Sequence, residues 1–305
     1  MVTRFLCNIL MLISCHFCID ANVKFSVKGP NPSAYQNLKW SKLIGGFGGC
    51  EGAQWLDGNN SPRLLFAAHH DRLVFEWSPD LGLTLLRSNS PEATSFRPDH
   101  KGGLYVVEQG TRRLMKWNDK GDTIKVLASH YQGKKLNRPN DARVDHKGRV
   151  WFTDPDYLFK KRPHERKELP GQYVFCYDPE TDQIKAAIQD LIAPNGIAID
   201  LNQKMIYVGD SKQAKIFRYA LHDDGSLGQQ ELFYSCKHRR LDGLAFDLKG
   251  QLWYAGKEGI SAINQKGELT TTIETPNFPT SMDFHKSGWV CVTLRDCVYV
   301  TNLNQ

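Results

Sequence analysis

The sequence is short of the features that would place a chain quickly. No apolar stretch is long enough to span a bilayer: the main one, Phe5–Ser14, runs about ten residues where about twenty are needed. There is no basic helix and no basic stripe interleaved with aromatics. The formal charge of +6 at pH 7 is mild for 305 residues, which argues against a nucleic-acid partner. Beyond residue 21 the cysteines are Cys50, Cys176, Cys236, Cys291 and Cys297, an odd number with no CxxC spacing. Neither a disulfide framework nor a zinc site follows from that. Cys291 and Cys297 can lie on adjacent strands, and whether they pair stays open. Nothing in the composition, 41% apolar and 11% aromatic, suggests extended disorder.

What is present is a repeat. Leu136–Tyr157 reads as a Pro-Asn-Asp turn, a short strand (Ala142 to Asp145), a turn at His146-Lys147-Gly148, and a second strand, Arg149–Thr153, ending at Asp154-Pro155. Pro139 fixes its own φ and biases Arg138 toward extended structure, so Asn140 stands where the chain enters a strand. The same order recurs from Asn195, from Asp242, and upstream and downstream from Glu51, Thr94 and Thr280. The six anchors Glu51, Thr94, Asn140, Asn195, Asp242 and Thr280 are 43, 46, 55, 47 and 38 residues apart. A period of roughly 40–50 residues built from short strands is the mark of propeller blades. The expectation is an all-β, six-bladed β-propeller with four-stranded blades, spanning 40–305 as one domain, around a central metal-binding channel. The competing pattern is a β-sandwich whose hairpins resemble one another. Trp40 to Gly46 could lend a strand to the last blade and so close the ring.

The first 21 residues stand apart. Arg4 and the short apolar run have the form of a secretory signal peptide, followed by an extension over 22–39. Ile19-Asp20-Ala21 can serve as the processing site. Leu12-Ile13-Ser14-Cys15 resembles a bacterial lipobox, which would leave a lipid anchor on Cys15. A buried N-terminal strand is the remaining alternative. The expected location is secreted or periplasmic. The run Lys160, Lys161, Arg162, His164, Arg166 and Lys167 is either a solvated loop or a cationic rim favouring acidic substrates.

In a propeller the starts of equivalent inner strands converge at one end of the channel. Two carboxylates and two amide oxygens in one ring, with no Cys or His at any anchor, suit a hard divalent cation. Ca²⁺ is the default, with Mg²⁺, Mn²⁺ or Zn²⁺ able to use oxygen donors. Each anchor taken singly is an ordinary turn former, and only their repetition points to ligation.

At these residues the chain resembles the SMP-30/gluconolactonase/luciferin-regenerating-enzyme family, over about Trp40 to Leu303. The motifs that carry the resemblance are Glu51-Gly52, Pro139-Asn140-Asp141, Phe152-Thr153-Asp154-Pro155, Pro194-Asn195-Gly196 and Asp242-Gly243. The segments 132–137 and 108–113 look like the bacterial gluconolactonase branch. The resemblance implies metal ligation by Glu51, Asn195 and Asp242, with Asn140 touching metal or substrate and Asp242 acting as general base. The implied activity is hydrolysis of a small-molecule sugar lactone by a monomer or weak oligomer. Glu108 and Arg112 are candidate substrate contacts on the rim, and His69-His70-Asp71 offers an alternative base. Departures fall at Ala93-Thr94-Ser95, at Gln109 where a His is expected, and at Thr280-Ser281 with His285-Lys286-Ser287. None removes an implied ligand, so they bear on the substrate. Two other readings stay open: an esterase or phosphotriesterase on the same scaffold, and a non-catalytic binding propeller with a structural calcium.

Overall fold

The computed structural model describes residues 25–305 apart from 34, 100, 157, 158, 160, 161 and 163. The signal-peptide and lipobox readings, Cys7, Cys15 and Cys18, and Lys160 and Lys161 of the basic run lie outside the described residues. Among the described residues there is no α-helix, and no helix is long and apolar enough to cross a membrane.

Apart from a separate two-stranded pair at His130–Tyr131 and Lys134–Lys135, six antiparallel sheets of four or five strands follow one another along the chain. Their first strands are Cys50–Leu56, Ala93–Pro98, Ala142–Val144, Pro194–Asp200, Leu244–Phe246 and Pro279–Phe284. These six strands pack against their neighbours in a closed ring, which defines blades 1 to 6 of a β-propeller. Ser41–Gly45 pairs with Cys297–Asn302 as the outermost strand of blade 6, so the two ends of the chain close the ring and leave no free edge between first and last blades. The extension before it is not loose. Ser26–Lys28 adds a fifth strand to blade 5 against Leu269–Glu274, and Phe25 stacks on Trp40 at 4.5 Å.

Alternation along each strand sends one set of apolar side chains to each neighbouring blade, and six buried clusters result, one at each blade interface. Trp117, Trp151 and Trp253 are fully buried in three of them. The turns between first and second strands are built alike. Asp145 Oδ1 accepts from the backbone of Lys147 and Arg149 while its Oδ2 accepts from Trp151 Nε1 at 2.9 Å. Asp247 does the same with Lys249, Gln251 and Trp253 Nε1. One carboxylate thus caps the turn and anchors the blade's buried indole.

Among the described residues Cys50, Cys176, Cys236, Cys291 and Cys297 are all free thiols, four of them buried.

Candidate functional site

The six anchor residues share one backbone device. In four blades the ladder between first and second strands is interrupted at the anchor, between Glu51 and Gln54, Ala93 and Ser95, Pro194 and Ile197, and Pro279 and Ser281. In the other two the regular strand begins only after Asn140-Asp141 and Asp242-Gly243. An irregularity of this kind re-aims a side chain out of the pleat. The anchors remain tied to the sheet, since Asn140 N donates to Thr153 O and Asp242 N to Ala255 O, both at 2.9 Å. The glycines that follow have a packing reason. A Cβ on Gly196 would stand 2.2 Å from Asp242 O, and one on Gly243 would stand 2.8 Å from Thr280 O, because the next blade's backbone passes there.

All six anchors line one cavity of about 770 Å³ that reaches the surface at one end of the channel. Asn140 and Asn195 are buried, while Glu51 and Asp242 keep a little surface toward the cavity. Thr94 and Thr280 do something different from the other four. Thr94 Oγ1 donates to Asn140 O at 2.7 Å and Thr280 Oγ1 to Cys50 O at 2.6 Å, each reaching into the neighbouring blade. Thr153 Oγ1 likewise donates to Asn195 O at 2.7 Å. The hydroxyls hold the ring's backbone in place, and the side chains of Glu51, Asn140, Asn195 and Asp242 are left to face the cavity.

Directly below lies an ion-paired plug. Asp141 Oδ1 accepts from Ser95 Oγ, Arg97 Nη2 and Arg143 Nη1, each at 3.0 Å, and its Oδ2 from Ile197 N at 3.1 Å. Arg97 also reaches Gln54, and Arg143 reaches Leu244 O. These three charged residues close the channel beneath the ring, so the ring opens only toward the cavity. Asp141 and Arg97 are functional neighbours that sequence reasoning missed. The Asn-Asp doublet read as a turn, with nothing in it to show that Asp141 faces the axis.

The electrostatics follow from this crowding. Burial, then the charges of Asp242 and Asp141, hold the Glu51 carboxyl well above the usual range. Burial, then Asp141, pushes Asp242 up to about 7, although a hydrogen bond from Asn195 and the charge of Arg295 act the other way. Carboxylates raised in this way mark a place where negative charge lacks compensation. Asn195 Oδ1 is buried with no hydrogen-bond partner. An orphaned amide oxygen beside two crowded carboxylates is a donor set that fits a hard cation, and Asn140 adds a second amide. Among the described residues no three His, Cys, Asp or Glu side chains form a metal-holding group on their own. Amide oxygens and water would therefore complete the coordination.

Other expected contacts fall elsewhere. Glu108 and Arg112 are buried and do not line the cavity. Glu108 accepts from Thr111 Oγ1 at 2.7 Å, while Arg112 Nε donates to the carbonyls of Leu136 and Asn137 at 2.6 and 2.7 Å. Glu108 thus braces its own hairpin, and Arg112 ties that hairpin to the segment that precedes Asn140. Two cations of the basic run are also occupied: Arg162 pairs with Glu92 and Glu165, and Lys167 with Asp156. The cavity wall is made instead by His69, His70, Gln109, Phe278, Leu241 and a set of cations from other loops. Burial, then the charge of His70, lowers His69 to about 3, which leaves it a neutral imidazole.

Comparison with known proteins places this geometry. The family model described as "SMP-30/Gluconolactonase/LRE-like region" matches residues 50–294. A gluconolactonase of Zymomonas mobilis is 27% identical over 258 residues, 76% of this chain and 71% of that one. A regucalcin of Bos taurus is 26% identical over 239 residues, 75% of each chain. Among solved structures, a gluconolactonase of Xanthomonas campestris superposes with a TM-score of 0.83 at 23% identity, covering 92% of this chain and 95% of that one.

Proposed function

The chain belongs to the SMP-30/gluconolactonase/LRE-like family, and from that premise we propose a calcium-dependent lactonase that opens a sugar lactone to its hydroxy acid. The observation that carries the proposal is the floor of the cavity, which is lined by two crowded carboxylates held well above their usual range and by Asn195, whose buried Oδ1 has no partner. Glu51, Asn195 and Asp242 would hold the ion, with Asn140 beside them. Zn²⁺, Mn²⁺ or Mg²⁺ could use the same oxygens. When bound, the ion supplies a Lewis acid that draws charge from the lactone carbonyl.

The chain's own residues supply the rest. Asp242 orients a water toward the carbonyl carbon and takes one of its protons as the C–O bond forms. The same carboxyl then returns that proton to the ring oxygen as the ester bond breaks, so the product is the open hydroxy acid and Asp242 ends as it began. Asn140 and the cavity wall orient the sugar hydroxyls, and the Arg97–Asp141–Arg143 plug fixes the ring from below. A relative named gluconolactonase supports the substrate class. Export stays a reading of the N-terminal sequence.

The test is hydrolysis of glucono-1,5-lactone by proton release, with Asp242→Asn beside the parent chain and its fold checked by circular dichroism. The folded variant is expected to lose about a thousandfold in kcat. Full activity in that variant would remove Asp242 from the role. No turnover of any lactone by a folded, metal-loaded parent chain would remove the enzyme reading and bring the binding propeller forward.

A further inference from the structure

The mouth of the cavity carries charge that lactone hydrolysis alone does not use. Lys212, Arg239, Arg240 and Arg295 all line it and are exposed, and none forms an ion pair among the described residues. Several other exposed cations of this chain are paired: Lys125 with Asp182, Lys204 with Asp223, Lys237 with Glu258, and Lys286 with Asp57. Among the described residues the carboxylates lining the cavity are Glu51 and Asp242, on its floor. With a divalent cation against those two, the field at the mouth is positive.

The cations sit on a built platform. Arg240 has φ +74, a left-handed conformation that non-glycine residues seldom adopt. Its N–H donates to Ser211 O at 3.1 Å, and Cys236 N donates to Ala214 O at 2.8 Å, so the loop bearing Arg239 and Arg240 is stitched to the loop bearing Lys212. Arg295 N donates to Phe278 O at 3.0 Å, and its guanidinium lies 5.6 Å from the Phe278 ring centroid. Three loops from blades 4, 5 and 6 thus hold four cations over one half of the opening. The cavity, at about 770 Å³, also exceeds what a six-membered sugar ring fills.

We propose that the substrate is an anionic lactone, bearing a carboxylate or phosphate on the part of the ring remote from the carbonyl, and that Lys212, Arg239, Arg240 and Arg295 receive that group. The inference rests on the lactonase reading of the same cavity. An oxyanion there meets forked guanidinium donors, while the lactone carbonyl faces the ring of Glu51, Asn140, Asn195 and Asp242. The mouth also concentrates anions before they bind, which raises the encounter rate.

The experiment compares kcat/KM of the full chain for glucono-1,5-lactone, its 6-phosphate, and glucarolactone, which has a carboxylate instead. Each is run at low and high ionic strength, with the parent chain and with R239Q/R240Q. The charged lactones are expected to lead the neutral one by about tenfold or more at low salt, with the lead shrinking as salt rises. In the double variant the charged-to-neutral ratio falls to within about threefold of one. A lead for both anions means that charge alone is read, and a lead confined to one of them identifies which group. Equal kcat/KM for charged and neutral lactones, or a ratio that survives the double substitution, overturns the proposal. Should no lactone be opened, the lactonase reading fails separately, and titration calorimetry with 6-phosphogluconate and gluconate decides the anion site. Tighter binding of the phosphorylated acid, weakened by R239Q/R240Q, sustains it, and equal affinities overturn it.

Discussion

At the scale of single residues the site is a problem of crowded charge. Glu51, Asp141 and Asp242 face one another around the axis, and Arg97 and Arg143 satisfy only Asp141. His69 shows the same exclusion of water in the cavity wall. Its ordinary value of 6.5 falls to about 3, so the unfolded chain takes up a proton over that interval while the folded chain does not. The contribution is present above pH 6.5 and is lost as pH falls toward 3. Because the ring keeps some surface, the effect is about 1–2 kcal/mol. Urea unfolding of His69→Gln and the parent chain at several pH values reads it: the variant should lose less stability between pH 6.5 and 4. Superposable profiles would clear His69 of the role. The sequence offered His69 as an alternative base. Its neutral state depends on burial and on neighbours contributed by other blades, which no local pattern records.

At the scale of elements, two repeated devices set the blades. The Asp turn joins Lys147 N, Arg149 N and Trp151 Nε1 to one carboxylate, and that carboxylate also pairs with Arg149. Asp145→Ala leaves a buried indole N–H and a buried guanidinium without their acceptor, and about 3 kcal/mol should be lost in urea unfolding. A loss under about 1 kcal/mol would mean that water replaces the carboxylate. The glycine after an anchor is the second device. Gly196→Ala drives a methyl into Asp242 O and Leu244 N, at 2.2 and 2.7 Å before relaxation. It should cost about 3 kcal/mol and lower lactone turnover as well, because the carbonyl it displaces belongs to Asp242. Full stability with full turnover would show that the blades slide apart without consequence.

The strands and anchors were legible because a four-stranded blade repeats its own local chemistry: an anchor, a strand of Val, Ile, Phe or Trp, a Gly turn, a second strand. The six anchors therefore stood out by spacing, and Glu51, Asn140, Asn195 and Asp242 among them by their oxygen donors. The work of Thr94 and Thr280 did not, since their hydroxyls donate to carbonyls of the next blade, the second of them across the ring closure. The same limit applies to Glu108 and Arg112, whose polar side chains looked free for substrate but are buried against Thr111 and the carbonyls of Leu136 and Asn137. The added strand Ser26–Lys28 is three residues of mixed character, too short to carry a period.

At the scale of the whole molecule, closure is what makes the site. Ser41–Gly45 locks the last blade to the first residues of the propeller, the six first strands meet in a ring, and anchors spread in sequence from Glu51 to Thr280 come to line one cavity. A channel plugged on one side by Arg97, Asp141 and Arg143 and open on the other would, on the proposed function, give an ion a face toward solvent and a lactone a place to meet it. The mild net charge of the chain conceals a local excess, because Lys212, Arg239, Arg240 and Arg295 gather at that opening, while Arg162 and Lys167 of the basic run are tied to Glu92, Glu165 and Asp156.

The central claim is that one oxygen-donor ring both holds an ion and opens lactones. The full chain, stripped with EDTA and freed of the chelator, would be titrated with Ca²⁺ while hydrolysis of glucono-1,5-lactone and of its 6-phosphate is followed by proton release. The account predicts negligible turnover in the stripped chain, recovery that saturates at one equivalent of Ca²⁺, and a flat response when Asn195→Ala is titrated in the same way. Full turnover in the stripped chain, or recovery unaffected by Asn195→Ala, would contradict it.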